Sequence, residues 1–234
     1  MKNNTSVSVV LPCFNEKGNI VALIDSIQLQ LQDFDFEIIV VDDNSPDGTY
    51  AYLLSQNLDR VKVIKRSDEP SLALSIEAGL KASQGDYLVV MDSDFNHRPR
   101  DIKILLSNLR FFDCVMASRF VYGGRMDTRF RHVCSWVFNV FTRIVTRTYI
   151  TDSLFGFFAI KREVLFGLPF DKVFWGYGDY CIRLMYFLQK KQHTILQIPG
   201  ILGKRMAGQG NTRLITTLLQ YTFEVIKFSI SNKE

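Results

Sequence analysis

A chain of 234 residues, 47% hydrophobic and 22% charged, has the balance of a folded globular protein and excludes a disordered or low-complexity one. The net charge of +4 is mild and no aromatic–basic module accompanies it, so nucleic acid is not an expected partner. Cys13, Cys114, Cys134 and Cys181 form no Cys-x-x-Cys pair, which argues against zinc and for a reduced, cytoplasmic compartment. The segment before Pro12 is too short for a signal peptide, and no stretch approaches the ~18–20 apolar residues of a membrane span. A soluble or peripheral protein is expected.

In chain order, strand-like apolar runs fall at 7–11, 36–41, 61–65, 87–91 and 114–118. Helical periodicity occupies the intervals near 19–31, 48–56, 72–82 and 100–108. Strands alternating with helices predict a mainly parallel sheet covered on both faces. After Ser118 the pattern changes to a Gly- and Arg-rich loop over 119–130 and an aromatic amphipathic helix near 131–146. A second helix at 179–190, a strand at 194–198 and a last helix at about 214–230 follow. No convincing linker interrupts this. Residues 1–211 are expected to form one catalytic domain and 212–234 a C-terminal amphipathic helix.

Chemistry-bearing residues cluster just beyond the strand ends, where open α/β sheets bind ligands. The first strand runs into Leu11-Pro12-Cys13-Phe14-Asn15-Glu16, and the second into Asp42-Asp43-Asn44-Ser45-Pro46-Asp47-Gly48-Thr49. Carboxylates here suit ribose hydroxyls or base N–H groups, although Ser45 or Asp47 also suits a helix cap. The fourth run ends in Met91-Asp92-Ser93-Asp94-Phe95-Asn96-His97, which reads either as an acidic turn or as hard oxygen ligands for Mg²⁺ or Mn²⁺. Acids at three strand ends together fit a nucleoside diphosphate with a bridging cation. Neither Gly-x-Gly-x-x-Gly nor Gly-Lys-Ser/Thr follows a strand, which disfavours a dehydrogenase or a P-loop enzyme.

These segments, with Arg98-Pro99, Ser118-Arg119-Phe120, the spaced Arg131, Ser135 and Asn139, Lys161-Arg162-Glu163-Val164-Leu165 and Arg205-x-x-Gly208, resemble the family-2 glycosyltransferases of the GT-A fold. Within that family the chain is similar to the dolichol-phosphate mannosyltransferase group of polyprenyl-phosphate sugar synthases, over about residues 7–211. The resemblance implies that Pro12, Phe14, Glu16, Val41 and Asp43 hold the nucleotide, with Asp92 and Ser93 by the ribose and diphosphate. It implies that Asp94 and Asn96, with Asp92, reach a Mg²⁺ or Mn²⁺ ion. Arg119 and Arg205 would face the diphosphate or the acceptor phosphate, and Arg131 and Ser135 the acceptor.

The chain departs from the family in several places. Ser71-Leu72-Ala73 replaces a Gly-Leu-Gly turn. In Asp152-Ser153-Leu154-Phe155-Gly156-Phe157-Phe158, Phe155 stands for Ser and Phe158 for Arg. Gly210-Asn211 replaces a Ser-Lys, and Phe174-Trp175-Gly176-Tyr177-Gly178-Asp179-Tyr180 lacks the usual Phe-Gln-x-Glu. Asp179 either supplies the missing acid or caps the following helix.

The implied reaction is inverting transfer of a hexose from a GDP- or UDP-sugar to a polyprenyl phosphate. The alternatives are transfer to a glycan hydroxyl in cell-envelope or polysaccharide synthesis, with Asp179 as base, and a non-catalytic nucleotide-sugar-binding subunit. A phosphate acceptor needs cations rather than a base, and the arginines from Arg119 to Arg147 offer them. The apolar faces of the helices near 131–146 and 214–230 suit either the core or a membrane surface, directly or through a membrane-protein partner.

Overall fold

The computed structural model describes residues 5–126, 128–202 and 214–231. Its first half is β1 (Ser6–Cys13), α1 (Ile20–Gln30), β2 (Asp35–Asp42), α2 (Thr49–Ser55), β3 (Val61–Lys65), α3 (Leu72–Ala82), β4 (Tyr87–Val90), a 3₁₀ turn (Pro99–Asp101), α4 (Ile102–Asn108) and β5 (Cys114–Ser118). The second half is α5 (Arg129–Thr146), β6 (Phe158–Lys161), α6 (Arg162–Phe166), α7 (Phe170–Val173), α8 (Tyr180–Lys190), β7 (Ile195–Pro199) and α9 (Leu214–Ser231). The strands join in one seven-stranded sheet of order β3-β2-β1-β4-β6-β5-β7. All neighbours are parallel except β6, which runs antiparallel to both β4 and β5.

Successive strand residues point to opposite faces, so the continuous apolar runs feed two cores. Val7, Val9 and Leu11 of β1 join Ile38, Val40, Val89 and Met91 beneath α1 and α4. Helix α1 presents Ile20, Leu23, Ile24 and Ile27 at helical spacing to that face, each fully buried. Truncating one such isoleucine to alanine costs about 2–5 kcal/mol. On the other face Val10, Leu88, Val90 and Phe158 meet Ala73, Ile76 and Leu80 of α3 and Leu184, Met185 and Leu188 of α8. Cys13, Cys114 and Cys181 are buried and unpaired.

Two features differ from the sequence expectation. The helix expected from 100 begins with the Pro99 turn, because proline fixes φ and lacks the N–H of a helical interior. Strand β6 and helices α6 and α7 were not foreseen: four to five residues carry too little periodicity to register, and β6 is defined by its neighbours. Phe158, at the position where the family has arginine, pairs with Val90 and Met116 and lies wholly in the core.

Strand order reverses between β1 and β4: β2 and β3 lie to one side of β1, and β4 opens the other. A crevice at the carboxyl ends of strands forms at such a switch point. The loops leaving β1, β2 and β4 converge there.

Candidate active site

Each of these three loops turns through a left-handed residue that is not glycine: Asn15 (φ 58°), Asn44 (φ 61°) and Phe95 (φ 65°). Asparagine tolerates this conformation through local hydrogen bonds, whereas phenylalanine there is strained by about 1–3 kcal/mol, a cost met chiefly at functional sites. The loops are tied to one another. Asn15 N–H donates to Ser45 Oγ (2.9 Å), Lys17 N–H to Asp47 Oδ2 (3.3 Å), and Ser93 Oγ to the Pro12 carbonyl (2.8 Å). Asp47 also accepts the Thr49 N–H (2.9 Å) from the position before the N-cap of α2, which is Gly48, so neither Ser45 nor Asp47 is the capping residue expected of them.

The expected nucleotide residues lie together at this edge. Pro12, Glu16, Val41, Asp43 and Ser93 are buried, Asp92 is half-buried, and the Phe14 ring is exposed. Glu16 accepts from Asn19 Nδ2. Asp43 receives the Arg66 guanidinium on Oδ1 and the Ser71 N–H on Oδ2. Arg66 and Asp43 form a buried ion pair.

Asp94 folds back on Asn96: Asn96 N–H donates to Oδ1 (2.9 Å) and its side-chain amide to Oδ2 (2.7 Å). The amide nitrogen of Asn96, not its oxygen, therefore faces Asp94. Among the described residues no three His, Cys, Asp or Glu side chains gather as a metal cage. Hard oxygens from one or two carboxylates, completed by substrate phosphates, are nonetheless what Mg²⁺ or Mn²⁺ accepts, and Asp92 and Asp94 fit that chemistry.

His97 fastens this loop from below. Its Nδ1 accepts the Asp92 N–H (2.8 Å), so Nε2 carries the hydrogen and donates it to the Phe155 carbonyl (2.7 Å). The ring stacks on Phe157 at 4.9 Å and meets Phe155 edge-on at 4.6 Å. Burial pushes the imidazole down to about 4 against the opposing pull of Asp94, so His97 is neutral at physiological pH. The sequence motif contained His97, but no sequence reading gave it this task.

Arg119, Asp179 and Ser135 are placed differently from the reading above. Arg119, expected to face phosphate, gives Nε (2.7 Å), Nη2 (2.8 Å) and its backbone N–H (3.0 Å) to the fully buried Asp152. Phe155 packs beside this pair, 5.0 Å from the guanidinium. Asp179, the candidate base, is buried in an ion pair with Arg183 and accepts the Tyr177 N–H (3.3 Å). Arg183 also donates to the Val173 carbonyl (2.9 Å) and stacks over Trp175 at 3.8 Å. This is loop architecture, and it lends no support to a general-base role; nor does the Asp179 side chain cap α8. On α5, Arg131 is exposed while Ser135 and Asn139 are buried one turn apart, Asn139 Oδ1 accepting the Ser153 N–H (2.8 Å). Ser135 is thus shielded rather than presented to an acceptor. Arg205, with Gly208, Gly210 and Asn211, lies outside the described residues.

An α/β sheet with one antiparallel strand, whose switch point gathers acids from three strand ends, defines a domain of the GT-A type. The chain belongs to glycosyl transferase family 2, whose model matches residues 8–166. It is 31% identical over 231 residues to a dolichol-phosphate mannosyltransferase of Pyrococcus furiosus, covering 95% of this chain and 64% of that protein. The chain thus spans just under two thirds of that relative. It is 28% identical to an undecaprenyl-phosphate mannosyltransferase of Micrococcus luteus, covering 87% and 86% of the two chains. Among solved structures, the glucosyl-3-phosphoglycerate synthase of Mycobacterium tuberculosis in complex with Mn²⁺, UDP and glucosyl-3-phosphoglycerate superposes with a TM-score of 0.72. That match covers 97% of this chain and 79% of the other at 22% identity, and is a likeness of fold.

Proposed function

We propose that the chain is an inverting, divalent-cation-dependent hexosyltransferase that takes a GDP- or UDP-sugar as donor and a polyprenyl phosphate as acceptor. The observation that carries the reading is the mutual bonding of the β1, β2 and β4 loops around Glu16, Asp43, Asp92 and Asp94. The names of the two mannosyltransferase relatives support the acceptor class. Residues 1–211 would form the catalytic unit.

In this mechanism Asp43 and the β1 loop hold the nucleoside, and the Ser93–Pro12 bond fixes the spacing between that pocket and the acidic loop. Asp92 and Asp94 would hold the cation, which when bound neutralises charge developing on the departing diphosphate. His97 keeps the Asp92 backbone at its station without carrying a charge into the site. A phosphate acceptor arrives largely ionised near neutral pH, since its second pKa is ~6, so no side chain need remove a proton. The commitment of Asp179 to Arg183 accords with this and disfavours a hydroxyl acceptor.

The acceptor would reach the site from a membrane surface. Helices α5 and α9 pack together with α8 through Phe138, Val225 and Ile182 of α8, yet leave Val133, Trp136, Val137 and Ile144 on α5 exposed. Leu219, Phe223, Ile226 and Ile230 repeat that exposure along α9; the side chain of Leu214 lies outside those described. Arg129, Arg131, Arg143 and Arg147 are exposed on or beside α5. An apolar face bearing tryptophan and phenylalanine beside arginines suits an anionic bilayer interface. No described helix is long and apolar enough to cross a membrane.

The test is incubation with Mn²⁺, labelled GDP- and UDP-sugars and short polyprenyl phosphates. Label in the organic phase with one donor is the expected result. Transfer to a hydroxyl acceptor alone, or nucleotide binding without turnover, would overturn it.

A further inference from the structure

Ser71 stands where the family resemblance expects glycine, and its side chain has a definite use. Its backbone is extended (φ −149°, ψ 114°) at the entrance to α3, where Oγ accepts the Leu74 N–H (3.3 Å). Its N–H donates to Asp43. Its hydroxyl donates to the carbonyl of Gly176 (2.7 Å), a residue 105 positions away. Ser71 therefore joins the acid at the end of β2 to the loop before α8.

That loop is tightly built at both ends of Tyr177. Gly176 is left-handed (φ +69°), and a methyl there would lie 3.2 Å from the Asp179 carboxylate. On the other side, a methyl on Gly178 would collide with the Tyr221 hydroxyl of α9. Between them the Tyr177 side chain is 57% exposed. Tyr177 directly follows Gly176, which Ser71 ties to Asp43, and its phenol is raised by partial burial and by the carboxylates of Asp92 and Asp43.

We propose that Ser71 is a positioning residue whose hydroxyl holds the 174–179 loop, and with it the Tyr177 ring, as one wall of the nucleotide-sugar site. The proposal rests on the transferase reading. A helix cap alone would need only the acceptor lone pair of Ser71, and glycine replaces serine at a cap at little cost. Ser71→Gly thus removes the bond to Gly176 while sparing α3 and the Asp43 contact.

The experiment uses the whole chain with Trp136→Phe throughout, which leaves Trp175 as the one tryptophan and a reporter inside the loop. UDP and GDP are each titrated in the presence of Mn²⁺. Ser71→Gly is expected to weaken binding of the preferred nucleotide about five- to tenfold, the worth of one hydrogen bond. It should raise KM for the sugar nucleotide with kcat within about twofold, as for lost ground-state binding. Ser71→Thr, which keeps the hydroxyl, should restore both, and acrylamide should quench Trp175 more strongly in Ser71→Gly without any nucleotide. Nucleotide affinity equal to that of the parent would overturn the proposal whatever the quenching shows. Binding of neither nucleotide by the parent would instead overturn the transferase reading itself.

Discussion

Replacing Asp152 tests the most consequential departure of the structure from the sequence reading, the burial of Arg119. Asp152 is fully buried and accepts three hydrogen bonds from Arg119, whose side chain is 8% exposed. Desolvating two such ions costs several kcal/mol apiece, offset by their attraction and by the bidentate geometry. Removing the acid alone strands a guanidinium in the interior, which costs about 3–5 kcal/mol. In a domain of this size each kcal/mol lowers Tm by roughly 2–4 °C, so Asp152→Ala should melt about 6–20 °C lower. Urea unfolding should show a lower midpoint at unchanged slope. A double-mutant cycle with Arg119→Met completes the assay: the double variant should cost much less than the sum of the singles, because no charge is then stranded. Additive losses, or a Tm for Asp152→Ala within about 2 °C of the parent, would refute the argument and return Arg119 to the open site.

Other variants probe separate parts of the molecule. Gly85→Ala places a methyl 2.6 Å from the Ser8 backbone nitrogen, and should cost roughly 1–3 kcal/mol in urea unfolding; a neutral result would contradict so close an approach of the chains. Burial would raise the Asp113 pKa, but the Thr194 N–H and hydroxyl and the Lys161 ammonium outweigh it and hold the pKa down to about 2. Because the folded pKa lies below the unfolded value near ~3.9, this contribution is complete above pH ~4 and lost as pH falls toward 2. Asp113→Asn should therefore lower Tm at pH 7, with the gap from the parent closing between pH 4 and 2; a constant gap would count against it. Asp94→Asn keeps an acceptor for the Asn96 N–H but removes the charge, so the enhancement of nucleotide binding by Mn²⁺ should fall at least about tenfold in calorimetry, with the circular dichroism spectrum unchanged. Trp136→Glu with Phe223→Glu should abolish co-flotation with anionic liposomes; equal flotation of parent and variant would remove α5 and α9 from the membrane contact.

That the candidate donor residues gather at one edge of the sheet was legible because the information is local. Each acidic segment directly follows an apolar run, and a strand followed by an acid-rich turn positions its own carboxylates. The five strands read in the first half recur in the structure within two residues at their ends. What stayed hidden depends on long-range pairing. Arg119 and Asp152 are 33 residues apart, and His97 and Phe155 are 58 apart. An arginine read from sequence is an open charge until the fold supplies its partner. The apolar faces of α5 and α9 illustrate the same limit: periodicity locates Val133, Trp136 and Val137 together but is silent on whether anything covers them. The antiparallel β6 escaped because an inserted four-residue strand takes its identity from β4 and β5.

The buried ions of the site have a common design. Arg66–Asp43, Arg119–Asp152 and Arg183–Asp179 each bury both side chains by at least nine-tenths, and all flank the carboxyl edge of the sheet or the loop before α8. Pairs of this kind add little net stability relative to apolar packing, so stability alone does not account for three of them. Their effect is geometric. Each fixes a carboxylate that also accepts a backbone N–H: Ser71 for Asp43, Arg119 itself for Asp152, and Tyr177 for Asp179. Loops lacking regular secondary structure thereby acquire set positions before any ligand arrives. Preorganisation of this sort lowers the ordering cost of binding a flexible sugar nucleotide. It follows that these aspartates shape the site largely through the backbone they hold, while Asp92 and Asp94 at the end of β4 belong to a loop anchored by neutral groups, His97 and Ser93. On the proposed transferase reading, the cationic charge opposite a diphosphate would come from a bound divalent cation and from arginines outside the three pairs.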